Sequence, residues 1–153
     1  MSRYATLSTA AKTLLQTLTV FAGHPEQVTE ADDRILDMGV DQAIILYPGM
    51  FGEEVDEQDR SYRSYTMVIE LFVRLSSTDA AAFAALIALR DSVIQLEEEY
   101  PHLNLADALE STIRADEDPA WVFDTASTGP TFLMQTLRWE VYRLTPLIGG
   151  LFA

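Results

Sequence analysis

The feature of this sequence that most restricts its fold is a run of alternating side chains between residues 66 and 75. Every odd-numbered position of the run is apolar, whereas the even-numbered positions are mixed in character. The apolar positions are Met67, Ile69, Leu71, Val73 and Leu75. Because successive side chains of a β-strand point to opposite faces, the run predicts a long strand with one core face and one mixed face.

Other segments also have the character of strands. The run QAIILYPG (42–49) is apolar and closes in Pro48-Gly49, which predicts a buried strand that ends in a turn. The segments AWVFDTA and TFLMQTLRWEVYRL predict a hairpin around STGP (127–130). In its second arm, Leu133, Leu137, Trp139 and Val141 share one face, and Arg138, Glu140 and Tyr142 share the other. Residues 105–114 fit either a short helix or an edge strand.

Two segments have helical spacing. In residues 4–21 the apolar side chains recur at intervals of three and four, and Gly23 and Pro25 follow as stop signals. These side chains are Leu7, Ala11, Leu14, Leu15, Leu18 and Phe21. The segment SSTD (76–79) supplies a cap for a second, alanine-rich helix that reaches about Glu98. Its predicted buried stripe is Phe83, Leu86, Ile87, Val93 and Ile94.

The order of these elements is α-β-β-α-β-β, which predicts an α+β domain. We expect a mainly antiparallel sheet with both helices packed on one face. A chain of 153 residues, of which 48% are hydrophobic, suits a single domain that covers 1–153. The segment 145–153 is an apolar C-terminal tail without charged side chains. Either it packs on its own domain or it docks on a partner.

Composition removes several classes of function. The chain has no cysteine, which excludes disulfides, thiolate zinc sites and thiol catalysis. No apolar run approaches the roughly 18 residues that cross a membrane, so we expect a soluble protein made in the cytoplasm. The formal charge of −14 argues against a surface that grips phosphates. His24 and His102 lack acids or histidines at metal-ligand spacing, and we expect surface histidines, no cofactor and no enzyme activity.

An acidic cluster lies between the first two predicted strands. Its members are Glu53, Glu54, Asp56, Glu57 and Asp59. A calcium loop would need a glycine at its sharp turn and a terminal glutamate, and this run has neither. A glycosidase pair would need carboxylates held on rigid strands. The simplest interpretation is the solvated tip of a hairpin that links strand 42–48 to strand 62–75.

Arginines and tyrosines next to this cluster favour a contact surface, because both residue types are enriched at protein interfaces. The outward sheet face and the apolar tail have the same tendency. The interface candidates are Arg60, Tyr62, Arg63, Tyr65, Phe72, Arg74, Arg138, Tyr142, Leu151 and Phe152. They predict contact with another copy of the chain or with a protein partner.

The order and rhythm of these segments resemble those of a known family. Five segments follow one another along the chain: an N-terminal helix, the QAIILYPG strand, the long RSYTMVIELFVRL strand, the TDAAAFAALIALRDSVIQL helix and the closing TFLMQTLRWEVYRL hairpin. This arrangement resembles that of the tail-terminator and tail-completion proteins of long-tailed bacteriophages. The resemblance covers nearly the whole chain and rests on architecture and hydrophobic rhythm, since this family has no invariant catalytic motif.

The resemblance implies a structural virion protein that assembles in the host cytoplasm. Its subunits would form a six-fold ring that caps the tail tube and joins it to the neck or head-completion protein. DNA would pass through the ring without specific binding. On this analogy the acidic cluster faces the lumen, the tube or a neighbour, and Arg60, Arg63, Arg74 and Arg138 are candidates for ion pairs between subunits.

Other interpretations remain open at this point. Head-completion, neck and tail-tube proteins share the fold group, and an acidic inhibitor that mimics nucleic acid would also suit the charge. A small enzyme would use paired carboxylates, such as Asp32/Asp33 or Asp56/Asp59, with a metal.

Overall fold

The computed structural model describes residues 3–53, 62–106, 108–115, 117–122, 131–144, 147–148 and 151–152. Within these residues the α-helices are α1 (Arg3–Leu15) and α2 (Asp79–Glu99), and short 3₁₀ helices span Thr19–Phe21, Pro25–Gln27 and Asp33–Met38. The strands are β1 (Val28–Glu30), β2 (Gln42–Glu53), β3 (Tyr62–Arg74), β4 (Ala108–Ala115), β5 (Ala120–Val122), β6 (Phe132–Leu144), β7 (Leu147–Ile148) and β8 (Leu151–Phe152).

The main sheet has the strand order β1-β2-β3-β6-β4, and β5 also pairs with β6. β1 runs parallel to β2, and the other pairs of this sheet are antiparallel. The long central strands β3 and β6 pair from Tyr62 opposite Leu144 to Arg74 opposite Phe132. β7 and β8 form a separate antiparallel pair. The predicted α+β class is therefore confirmed.

Both helices cover the same face of the sheet, as the sequence predicts. α1 packs on β1 and β2, whereas α2 packs on β3, β6 and β4. The odd-numbered side chains of β3 from Tyr65 to Val73 meet the helices in one core cluster. The predicted core residues of α1 and of β6 belong to this cluster too, and Trp139 at its centre is fully buried.

Several element boundaries differ from the prediction. α1 ends at Leu15, and the chain then turns before the 3₁₀ helix at Thr19–Phe21. Leu18 takes an extended backbone conformation, which stops the α-helix, yet Leu18 and Phe21 are still buried. Most of the undecided segment 105–114 belongs to the edge strand β4, which continues to Ala115, and the short parallel strand β1 was not predicted.

The buried stripe predicted for α2 was partly wrong. The side chains that face the sheet are Ala82, Leu86, Leu89, Val93, Leu96 and Glu97. Phe83 and Ile87 are 37% and 43% exposed, because each lies one position round the helix from this stripe. The capping prediction is confirmed, since the Thr78 hydroxyl accepts a hydrogen bond from the backbone N–H of Ala81 at 3.1 Å.

Two buried hydroxyls tie the helices to the sheet edges. Ser8 of α1 donates a hydrogen bond to the carboxylate of Glu30 on β1. Ser111 of β4 donates to Oε1 of Glu97 on α2 at 2.8 Å. A hydrogen bond to a charged partner stabilises by about 1.5–3 kcal/mol, so these contacts help to fix each helix over its strand.

The opposite face of the sheet carries a second, smaller core at one end. Ile35, from the 3₁₀ helix at Asp33–Met38, packs there with Ala43, Ile45, Phe72 and Phe132. The rings of Phe72 and Phe132 meet edge to face, with centroids 6.2 Å apart. This cluster covers the end of the face near Arg74 and leaves the remainder of the face to the polar side chains described next.

Candidate contact face of the sheet

The remainder of the outward face is formed by mostly polar side chains on the three strands β3, β6 and β4. We call it the open sheet face. Its members are Thr66, Val68 and Glu70 of β3, Arg138, Glu140 and Tyr142 of β6, and Glu110, Thr112 and Arg114 of β4. Those on β3 and β6 are half-buried and those on β4 are exposed. Strand pairing therefore builds one surface from residues far apart in sequence.

The strand register fixes how these side chains neighbour one another. Val68 lies opposite Arg138, which in turn lies opposite Arg114. The next row contains Thr66, Glu140 and Thr112. The row after that contains Ser64, Tyr142 and Glu110. Directly opposite side chains on such strands have Cβ atoms about 4.5–5.5 Å apart, so each row is one line of contacts across the sheet.

The charges on this face nearly balance. It carries the guanidinium groups of Arg114 and Arg138 and the carboxylates of Glu70, Glu110 and Glu140. In the whole chain 24 acidic residues stand against 10 basic ones, so the open sheet face has a smaller acidic excess than the molecule. A mixed-charge face allows two copies to meet with less like-charge repulsion than other surfaces of the chain would.

Internal contacts hold several of these side chains in place. The Tyr142 hydroxyl donates a hydrogen bond to Oε1 of Glu140. Glu70, Arg114 and Arg138 each make at least one interaction within the chain. Side chains that are already ordered lose less conformational entropy when a partner covers them, which favours binding.

Some predicted interface residues have a role inside the chain instead. Tyr65 is 1% exposed and lies in the main core beneath the helices, because it is on the odd-numbered face of β3. Phe72 is 5% exposed and packs in the smaller core. The Nε of Arg74 donates to the carbonyl oxygen of Val40 at 3.1 Å, and its guanidinium carbon lies 5.7 Å from the centre of the Phe132 ring. Tyr65 and Phe72 therefore offer a partner almost no surface.

Arg138 and Tyr142 lie on the open sheet face, as predicted. Tyr62, Arg63, Leu151, Phe152 and Glu53 are placed in strands, but their side chains lie outside the described part of the structure. Glu54, Asp56, Glu57, Asp59 and Arg60 lie outside the described residues altogether. Glu53 pairs with Tyr65 of β3, so β2 does not end at Pro48-Gly49 as predicted but continues to Glu53, with a shift of register between Pro48 and Glu53.

The contribution of β4 to this face was not predicted from the sequence. Glu110, Thr112 and Arg114 alternate with Ser111 and Ile113, which is the period-two signal of a strand. The alternation was hard to recognise because the inward positions include the polar Ser111. That serine is buried because Glu97 of α2 accepts its hydrogen bond.

The proposed carboxylate pair at Asp32 and Asp33 is only partly described. Oδ1 of Asp32 accepts hydrogen bonds from the backbone N–H and from Nε of Arg34, at 3.1 and 3.0 Å. Its Oδ2 accepts from Nη2 of Arg34 at 2.9 Å. This bidentate pair occupies both oxygens of Asp32, which leaves them poorly placed to ligate a metal. Among the described residues no group of three or more potential metal ligands is found.

The hydrogen bonds between Asp32 and Arg34 can be tested through the pKa of the Asp32 carboxyl group. The side-chain hydrogen bonds from Arg34, followed by its backbone hydrogen bond, lower the pKa of Asp32 from 3.8 to about 2. The stabilisation from a lowered carboxylate pKa is fully present above pH 3.8 and is lost as the pH falls through about 2. We expect an NMR titration of the Asp32 carboxyl carbon to show a midpoint near 2, and Arg34→Ala to move it back toward 3.8. A midpoint of 3.8 in the unaltered chain would contradict the pairing.

Surface depressions exist elsewhere on the domain. One of about 440 Å³ is lined by Glu26, Thr29, Asp32, Arg34 and Ile35. Another, of about 310 Å³, lies between the end of α1 and the second half of α2. Both histidines are exposed as predicted, and Nδ1 of His24 lies 3.3 Å from Oε1 of Glu26. These depressions assemble no recognisable set of catalytic groups from the described residues.

Comparison with known proteins adds no family assignment. Neither a scan against models of protein families nor a search of curated proteins returns a match. Among the described residues no helix combines the length and the apolar character needed to cross a membrane. The function therefore has to be argued from the fold and from the open sheet face.

Proposed function

We propose that this chain is a structural subunit of a long-tailed bacteriophage, which forms a homo-oligomeric ring that caps the tail tube and joins the tail to the neck. It works through contact surfaces and not through catalysis. Its place is the tail of the virion, reached by assembly in the host cytoplasm. The observation that carries the proposal is the open sheet face, which is broad, ordered and nearly charge-balanced on a chain of formal charge −14.

The chemistry of this face suits a protein partner. It combines half-buried Val68 and Tyr142 with carboxylates and guanidinium groups on adjacent strands. Interfaces are rich in tyrosine and arginine, and complementary charges across them set the register between partners. The helix side of a second copy would offer both signs of charge in return, with Lys12 on α1 and Asp91 and Glu98 on α2.

The two-layer architecture also suits a ring. The open sheet face and the helices lie on opposite sides of the sheet, so a head-to-tail contact can join the sheet side of one copy to the helix side of the next. Such a heterologous contact generates a closed ring when the rotation between copies closes. Six copies is the number in the family that the sequence resembles.

The acidic cluster gives the ring a function toward DNA. In the sequence it falls at the end of β2 and in the residues that precede β3. Carboxylates that line a lumen repel duplex DNA over about one Debye length, roughly 8 Å at physiological salt. DNA would then pass through without sticking, whereas a basic lumen would hold it.

The test is a charge reversal on the open sheet face. We expect Arg138→Glu to shift the protein from ring to monomer, because it places a fourth carboxylate where a neighbouring copy has to approach. Size-exclusion chromatography with light scattering measures the assembly, and far-UV circular dichroism checks the fold. Arg34→Glu, in the 3₁₀ helix Asp33–Met38, makes the same change in net charge outside the open sheet face and outside the helix layer, and serves as the matched control.

A second variant is needed because Arg138→Glu also removes an interaction within the chain and could destabilise the fold. Thr112→Arg removes no such partner and places a long side chain on the exposed part of the face. We expect it to reduce assembly as well. If both variants assemble like the unaltered chain, the open sheet face is not a subunit contact.

A further inference from the structure

Strand β4 forms one edge of the main sheet. In the strand order β1-β2-β3-β6-β4 it pairs with β6 on one side, and no strand among the described residues pairs with its other side. The backbone N–H and C=O groups on the free side of an edge strand can pair with a strand of another chain. Many native edges carry a proline that prevents this, and β4 (Ala108–Ala115) has none.

The regular part of β4 has a self-complementary pattern of charge. Its pairing with β6 is shifted only between Ala108 and Glu110, and it is continuous from Glu110 to Ala115. On the open sheet face this part carries Glu110, Thr112 and Arg114, all of them exposed. The carboxylate and the guanidinium group lie at equal distances along the strand on either side of Thr112. Reversing the direction of the strand about Thr112 therefore exchanges the positions of the two charges.

Two copies of this strand match each other when they run antiparallel with Thr112 opposite Thr112. Glu110 of each copy then lies opposite Arg114 of the other, and such opposite-charge pairs on adjacent strands are stabilising. A pair centred on Glu110 or on Arg114 would bring like charges directly opposite each other, which is destabilising. The charges therefore favour one register for a pair of identical strands.

The neighbour of Arg114 on β6 also favours a carboxylate on the free side of the edge. Arg114 lies opposite Arg138 on β6, and like charges directly opposite each other on adjacent strands repel. Glu110 of a second copy would offset this repulsion. The whole chain carries a formal charge of −14, so two copies meet most favourably where their local charges are complementary.

We infer that two copies of this chain pair along β4, antiparallel and about a two-fold axis at Thr112. The contact is isologous, because the same residues take part on both copies. It goes beyond the proposed ring, whose head-to-tail contact uses the two faces of the sheet and leaves the β4 edge free. Because the two-fold axis is perpendicular to the sheet, the open sheet faces of both copies lie on the same side of the pair.

A contact limited to one edge strand of each copy is small. Interfaces that bury less than about 1,200 Å² are typical of weak and transient association. We therefore expect the pair to form at high chain concentration and to dissociate on dilution. Covalent cross-linking captures such a pair.

Cross-linking through Thr112→Cys tests the pair directly, because the chain has no cysteine of its own. Directly opposite residues of antiparallel strands have Cα atoms about 4.5–5.5 Å apart, which is within the range of a disulfide. We expect mild oxidation to give a dimer on a non-reducing denaturing gel. Ala115→Cys, also exposed on β4, is the matched control. Its two copies would lie roughly 20 Å apart in the pair, so we expect a dimer yield lower by roughly fivefold or more.

Charge reversal in the Thr112→Cys chain tests the register. Glu110→Arg alone and Arg114→Glu alone each place like charges opposite each other, and we expect each to lower the dimer yield by roughly fivefold or more. When the two variants are mixed with different tags, every such contact again joins opposite charges. Linked pairs with one chain of each kind should then restore the yield, which two unfolded variants would not do.

The outcomes are distinct from those for the proposed ring. A Thr112→Cys yield no higher than that of Ala115→Cys overturns the inference and leaves the edge to a different partner or to another segment of the chain. A yield that the charge reversals do not change, or a mixture without mixed pairs, overturns it as well. A head-to-tail contact does not bring identical residues together, so a ring alone does not produce the Thr112→Cys dimer. If no ring forms, the β4 pair still stands or falls on its own cross-link.

Discussion

Replacing Trp139 with alanine is expected to lower the free energy of unfolding by about 3–5 kcal/mol. Trp139 is fully buried on β6, between Met67 of β3 and Ile113 of β4, and it belongs to the main core beneath the helices. Alanine would leave a cavity that the paired strands on both sides cannot collapse to fill. Domains of this kind have total stabilities of about 5–15 kcal/mol, so much of the stability would be lost.

Trp139→Phe is the matched control for this prediction. The indole Nε1–H has no hydrogen-bond partner among the described residues, so phenylalanine removes a buried, unsatisfied donor along with some volume. We expect the phenylalanine variant to cost clearly less than the alanine variant. Urea denaturation followed by circular dichroism measures both. A cost below about 1 kcal/mol for Trp139→Ala would contradict its place at the centre of the core.

Leu86→Ala and Ile87→Ala are expected to lower the stability by very different amounts, although the two residues are neighbours of similar size. Leu86 is fully buried against the sheet, so its truncation should cost about 2–5 kcal/mol of stability. Ile87 is 43% exposed, and its truncation should cost less than about 1 kcal/mol. Urea denaturation of the monomer distinguishes the two.

Leu86→Ala and Ile87→Ala should also differ in how they affect the assembly of copies. Ile87→Ala is expected to weaken the association of copies, because it removes an exposed apolar side chain from the helix side of the proposed head-to-tail contact. Leu86→Ala should act on assembly only through its loss of folded protein. Equal losses of stability from both variants would show that α2 is rotated from the orientation described above.

The strands were the most predictable part of this fold. The alternation of Met67, Ile69 and Leu71 with mixed neighbours fixes both the strand and its core face, because a shift of one residue would turn every apolar side chain outward. The same argument placed Leu137 and Trp139 inside and Arg138 outside. Pairing of β3 with β6 joins residues distant in sequence, and periodicity within one segment does not contain that information.

The orientation of α2 was harder to predict. Its sequence has apolar residues on more than one side, so Ala82, Leu86 and Leu89 compete with Phe83 and Ile87 for the core. The side of α2 that packs on the sheet carries the small Ala82, which permits close packing. The larger Phe83 and Ile87 lie on another side of the helix and stay partly exposed. A hydrophobic pattern alone does not distinguish a side that packs on the sheet from a side that stays partly exposed.

The candidate site was predictable only in part. Arg138 and Tyr142 followed from the alternation along β6, and both lie on the open sheet face. Arg114 and Thr112 join them only through the pairing of β4 with β6. Tyr65 was wrongly predicted to lie at an interface, because it follows Tyr62 and Arg63 closely in the sequence. Its odd-numbered position on β3 places it on the buried face of the strand.

Native mass spectrometry of the purified chain, with negative-stain images of the same sample, tests the central claim most directly. We expect a closed ring, with a mass six times the 17.1 kDa of one chain. The images should then show rings with an open centre. A mass of a single chain at every concentration tested, with no rings in the images, would contradict the proposal that this protein acts as a ring.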